Sequence, residues 1–132
     1  MMRAVAISLK IPDNTAFTAA VALRRLGVGV ERVERSEIWF FDDGGDVPAL
    51  IERITANETI FNPNKHRVTV LDLAAPRSGE VWIEPLELRR PEHAVAIAWR
   101  LMGRNDAAVD RETLRAAVEG LLCNPAIERA IY

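Results

Sequence analysis

The chain has 132 residues, 49% hydrophobic and 27% charged, the balance of one folded globular domain rather than a disordered segment. Seventeen basic side chains face nineteen acidic ones, and a net charge of −2 leaves no field to hold a nucleic-acid backbone. The single cysteine, Cys123, excludes an internal disulfide and an all-cysteine metal cage. No apolar run approaches the roughly 20 residues that span a bilayer. Arg3, a short apolar run and then Lys10 do not form a secretory leader, so the expected compartment is the cytoplasm, with no membrane partner.

Residues 4–9 alternate as a strand, with Val5, Ile7 and Leu9 on one side and Ala6 and Ser8 on the other. Pro12 and Asp13-Asn14 punctuate its exit and supply a helix cap. Thr15 to Leu26 has helical spacing through Ala16, Phe17, Ala20, Leu23 and Gly27, and Gly27 suits a left-handed stop. Residues 32–41 read as a second strand, 42–46 as a turn, Val47 to about Thr59 as a second helix, and Arg67 to Leu71 as a third strand. Residues 74–79 form a connector. Beyond it the expectation is a strand over 80–88, a helix over 92–103, a helix over 110–122 and a strand over 127–132.

The chain matches itself. Moved by 76 positions, Val5 falls on Val81, Ile7 on Ile83, and 20–27 (AVALRRLG) on 96–103 (AIAWRLMG). Moved by 62, Asn62-Pro63 falls on Asn124-Pro125 and Arg67 on Arg129. The shorter second offset suggests a β-α-β-α-β unit, complete over 1–72, repeated over 80–132 without its middle strand. The expected fold is therefore α+β. It is a two-layer sandwich in a single domain, with an antiparallel sheet of about five strands and about four helices on one face.

A sheet covered on one side needs one apolar face, yet the second strand carries Ile38 and Phe40 on one side and Trp39 and Phe41 on the other. The 76-residue register puts Trp82 in the place of Ala6. Trp39, Phe41 and Trp82 are accordingly the candidate interface residues, expected on the face away from the helices, and the expected partner is a second copy of the chain in a homo-oligomer.

The first 72 residues resemble the PurS-type small subunit of phosphoribosylformylglycinamidine synthase, an enzyme of purine biosynthesis. The resemblance rests on the stretch 24–33 (RRLGVGVERV) after the first helix. It also rests on 121–128 (LLCNPAIE), and more weakly on Ile60-Phe61-Asn62-Pro63. Two positions depart from the family: 11–15 (IPDNT) replaces its proline-glutamine-glycine segment, and Ser36-Glu37 its Gly-Lys. The resemblance implies a PurS-like, non-catalytic subunit that dimerises through its sheets and bridges a synthetase and a glutaminase. A duplicated chain would imitate that dimer internally. The competing expectation is a ferredoxin-like effector-binding module acting as a dimer, with Gly27-Val28-Gly29 as the turn at its ligand.

No Walker loop, dinucleotide fingerprint, nucleophile elbow or Cys-x-x-Cys occurs, so no catalytic residue and no cofactor are expected. His66 and His93 lack ligands at metal spacing, and Asp42, Asp43 and Asp46 around Gly44-Gly45 read as a turn rather than a calcium loop. Glu92 suits a helix start, Cys123 reads as a buried thiol, and the Asn-Pro pairs read as helix stops. Arg24, Arg25, Arg67 and Arg129 are the candidate contacts for an anion or a partner carboxylate. Arg32 and Arg35 extend the basic stretch, but Glu31, Glu34 and Glu37 interleave with it.

Overall fold

The computed structural model describes residues 2–87 and 94–132. Six strands form one antiparallel sheet: β1 (Met2–Leu9), β2 (Arg32–Asp42), β3 (His66–Val70), β4 (Glu80–Pro85), β5 (Ala96–Met102) and β6 (Glu128–Ile131), in the order β3-β1-β2-β5-β4-β6. Three helices accompany it: α1 (Asn14–Arg25), α2 (Val47–Thr55) and α3 (Arg111–Ala117), the last continuing as a π-helical turn over Val118–Leu122. The class is α+β, with one strand more and one helix fewer among the described residues than expected.

Each helix starts on an aspartate whose carboxylate accepts a free amide of the first turn: Asp13 from Ala16, Asp46 from Ala49 and Asp110 from Thr113. α1 stops at Gly27, where φ is +85°. The Gly27 amide donates to the Arg24 carbonyl and the Val28 amide to the Leu23 carbonyl, closing the end while Val28 packs beside Leu23. Its buried face is Ala16, Ala19, Ala20 and Leu23; Phe17, expected on that face, is 67% exposed.

The expected helix over 92–103 is replaced by the strand Ala96–Met102. Ala, Leu and Met favour helices, and read as one, 96–102 is apolar nearly all round. Read as a strand, Ile97, Trp99 and Leu101 point to one side and Ala96, Ala98 and Met102 to the other. β5 lies between β2 and β4, pairing Val33 with Leu101 and Val81 with Trp99. Both faces are covered there, so a two-sided apolar strand is satisfied and a surface helix would not be. Residues 92 and 93 lie outside the described residues, as does the end of the expected 80–88 strand.

With β5 in place the two halves correspond strand for strand. Val5 pairs with Trp39 and Val81 with Trp99; Ala6 pairs with Thr69 and Trp82 with Ile131. The spacing between counterparts is 76 for β1 and β4, 60 for β2 and β5, and 62 for β3 and β6. Glu37 pairs with Ile97, its own counterpart, so a pseudo-twofold axis passes between them. The middle strand is therefore present in the second half, correcting the expectation that it was lost. What shortens is the link before it: 22 residues join β1 to β2, but ten join β4 to β5, too few for a helix of 12 residues with its turns. The alignment of 20–27 with 96–103 pairs a helix with a strand and has no structural meaning.

All three helices lie on one face. α1 and α3 cover Val33, Leu101, Val81 and Ile83, while α2 covers Val5, Ile7 and Trp39. On the opposite face Ala4, Ala6, Ile38, Trp82, Ala96 and Ala98 form a second apolar layer with Phe40, Leu71 and Ile131.

Candidate functional site

The three candidate interface aromatics do not share a surface. Trp39 and Phe41 stack at 6.0 Å on the helical face, beside α2. Trp82 is on the other face, 6.3 Å from Phe40. The face expected to gather Trp39 and Phe41 gathers Phe40 instead. The two tryptophans are 8% and 3% exposed within a single chain. Neither forms an open patch.

Of the arginines, Arg24 donates to the backbone carbonyls of Glu31 at 3.0 Å and Val30 at 3.5 Å, tying α1 to the start of β2. Arg25 is exposed in the last turn of α1, where a cation suits the helix dipole. Arg67 and Arg129 occupy matching positions on the two edge strands, β3 opposite Ser8 and β6 opposite Glu84. Arg129 donates to the Glu84 carboxylate at 2.7 Å. Arg67 has no ion-pair partner among the described residues, because the position matching Glu84 is Ser8.

The three buried carboxylates among the described residues each meet an arginine: Asp43 with Arg3, Glu80 with Arg77 and Glu84 with Arg129. The Arg3 guanidinium and the Gly45 amide hold the Asp43 carboxyl below its ordinary value. Asp42 and Asp43 accept the Gly44 and Gly45 amides and Asp46 caps α2, so these oxygens build the turn. His66 Nδ1 accepts the Asn62 amide at 2.9 Å, and Glu128 Oε1 accepts the Asn124 amide at the same distance. The two Asn-Pro turns are thus built alike, and His66 closes one of them. His93 lies outside the described residues. Cys123 is half-buried rather than buried, and burial followed by the Glu128 charge pushes its thiol up, away from thiolate chemistry. In the Gly27-Val28-Gly29 turn the Gly27 and Val28 amides are spent on closing α1.

One polar concavity does gather candidate residues. β1 pairs with β2 only as far as Ser8, and β2 runs past it to Arg32. The resulting notch, of about 220 Å³, is lined by Ser8, Lys10, Asp13, Glu34, Arg35 and Arg67, among others. Asp13 caps α1 with one oxygen and accepts Arg35 Nε at 3.3 Å with the other. Arg32, on the rim, is engaged by Glu34 at 2.6 Å and Asp106 at 3.1 Å. Lys10 and Arg67 have no ion pair among the described residues and leave the notch with a positive surplus. The sequence pointed to Arg67 but not to Lys10 or Ser8, because only the β1–β3 register brings these together.

Among the described residues no group of three His, Cys, Asp or Glu side chains is placed to hold a metal ion, and no described helix is long and apolar enough to cross a membrane. No protein-family model, curated protein or solved structure matches the chain.

Proposed function

We propose that the chain is a PurS-like assembly subunit, without catalytic residues of its own, that bridges a synthetase and a glutaminase in a phosphoribosylformylglycinamidine synthase type complex. The observation that carries this reading is the internal pseudo-twofold. Two β-α-β units lie edge to edge through seven β2–β5 residue pairs, as two small subunits joined through their sheets would. The commitment of the buried carboxylates to arginines supports a structural rather than a chemical role for them. Self-association beyond the single chain belongs to the same reading and is read by light scattering.

The test is reconstitution. The chain is purified with the synthetase and glutaminase of its host, with glutamine, ADP and magnesium present. The expected result is one co-eluting assembly whose glutamine-dependent amination requires this chain. A synthetase and glutaminase that associate and turn over equally well without it would overturn the proposal.

A further inference from the structure

We infer that the notch beside Ser8 is a binding site for a small phosphate-bearing ligand, independently of the assembly reading. The argument comes from comparing the two halves. Edge strands β3 and β6 carry an arginine at the same position, Arg67 and Arg129. In the second half the facing residue on β4 is Glu84, and its carboxylate takes up the arginine. In the first half the facing residue is Ser8, which removes the charge and supplies a hydroxyl donor instead. The counterparts of Lys10 and Arg35 are the apolar Leu86 and Val95, 76 and 60 positions on. The first half therefore lacks the carboxylate at this point and gains Lys10 as a further cation, while Arg35, paired with Asp13, borders the same cavity from the other side of the sheet edge.

The recess opens beside Asp13, which holds Arg35 in place. Lys10 and Arg67 supply charge and Ser8 Oγ a neutral donor. This set suits an oxyanion presenting several acceptor oxygens better than a single planar carboxylate. A volume of about 220 Å³ admits a phosphate group with a small substituent. The edge position leaves the substituent in solvent, so the recognised chemistry is the phosphate itself, free or as a monoester.

The test is an amide-resolved NMR titration of the full chain with sodium phosphate at constant ionic strength, repeated with glycerol phosphate and with acetate. The expected result is saturable shifts at Ser8, Lys10, Arg35 and Arg67 for both phosphates and none for acetate. Ser8→Glu installs the carboxylate of the second half and is expected to weaken binding about tenfold or more. Glu84→Ser frees Arg129 without adding neighbouring cations and is expected to create no second site. Lys10→Gln, an exposed change, repeats the loss should Ser8→Glu disturb folding. Binding of inorganic phosphate alone would assign the free anion as the ligand; tighter binding of the monoester would assign a phosphorylated metabolite. Shifts that stay linear through the millimolar range, or a folded Lys10→Gln variant that binds as the wild type does, would overturn the inference.

Discussion

Glu80→Gln tests how the carboxylates hold the second half together. The Glu80 side chain is 1% exposed; Arg77, 33% exposed, donates to it through Nη2 at 2.7 Å and through its backbone amide at 3.0 Å. The Trp82 indole donates to the same carboxylate at 3.0 Å. A glutamine keeps one acceptor oxygen, enough for the indole and the Arg77 amide, but turns an NH2 group toward Nη2. The loss is the charge-assisted pairing of Arg77 Nη2 at 2.7 Å and Nε at 3.2 Å with the other carboxylate oxygen, worth about 1.5–3 kcal/mol, reduced because Arg77 is a third exposed. The expected cost is about 2 kcal/mol at neutral pH, or about 8 °C in Tm for a chain of this size.

Burial alone would push the Glu80 carboxyl up. The hydrogen bonds from the Arg77 side chain, the Arg77 amide and Trp82, with the Arg77 charge, outweigh it and hold the group below its ordinary 4.5. A depressed folded-state value contributes stability that is complete above the unfolded value and lost as pH falls through the folded one. In urea titrations followed by circular dichroism, the gap between wild type and Glu80→Gln should be constant from neutrality to about pH 5 and close below that. A gap that is independent of pH, or below about 0.5 kcal/mol at neutrality, would refute the reasoning.

Gly79 has φ +71°, and a Cβ there would lie 2.8 Å from the Leu101 carbonyl oxygen and 2.9 Å from Ala108 Cβ. Gly79→Ala should cost about 2–4 kcal/mol by thermal denaturation, combining left-handed strain with overpacking. Gly27 has a similar φ but nothing within 4 Å of the added Cβ, so Gly27→Ala should cost only about 1–2 kcal/mol. Equal costs would remove the packing argument. Leu101 is fully buried in β5 between the sheet and α1, and Leu101→Ala should cost about 2–5 kcal/mol in urea titrations. A near-neutral result would mean that 96–102 does not sit in the core as described.

Much of the first half was legible because each element there has its own local signal. Asp13 and Gly27 bracket α1, the Asp42–Asp46 turn separates β2 from α2, and Asn62-Pro63 precedes β3. The second half misled where composition and environment disagree. Residues 96–102 contain strong helix formers, and their alternation is hidden because small alanines on one face oppose Ile97, Trp99 and Leu101 on the other. The face of Trp39 and Phe41 was misassigned for a related reason, whereas Trp82 lies with Ala6 on the face expected for it. Alternation tells which residues share a side within one strand, but which side of the sheet that is depends on the neighbouring strand's register.

By itself the sequence determined the class, α+β, the capped helix α1, the start of α2 after the 42–46 turn, and the correspondence of Arg67 with Arg129. These depend on contacts within a few residues or on matching composition, which survive translation along the chain. α2 ends at Thr55, so Asn62-Pro63 is not its stop. Only the tertiary structure decided that 96–102 is the central strand β5, because a two-sided apolar segment is satisfied by whichever geometry finds partners on both faces. It also decided that Ser8 stands where the second half has Glu84, leaving Arg67 open beside Lys10. That juxtaposition joins residues 8 and 67 through a strand register, and no local rule of sequence carries it.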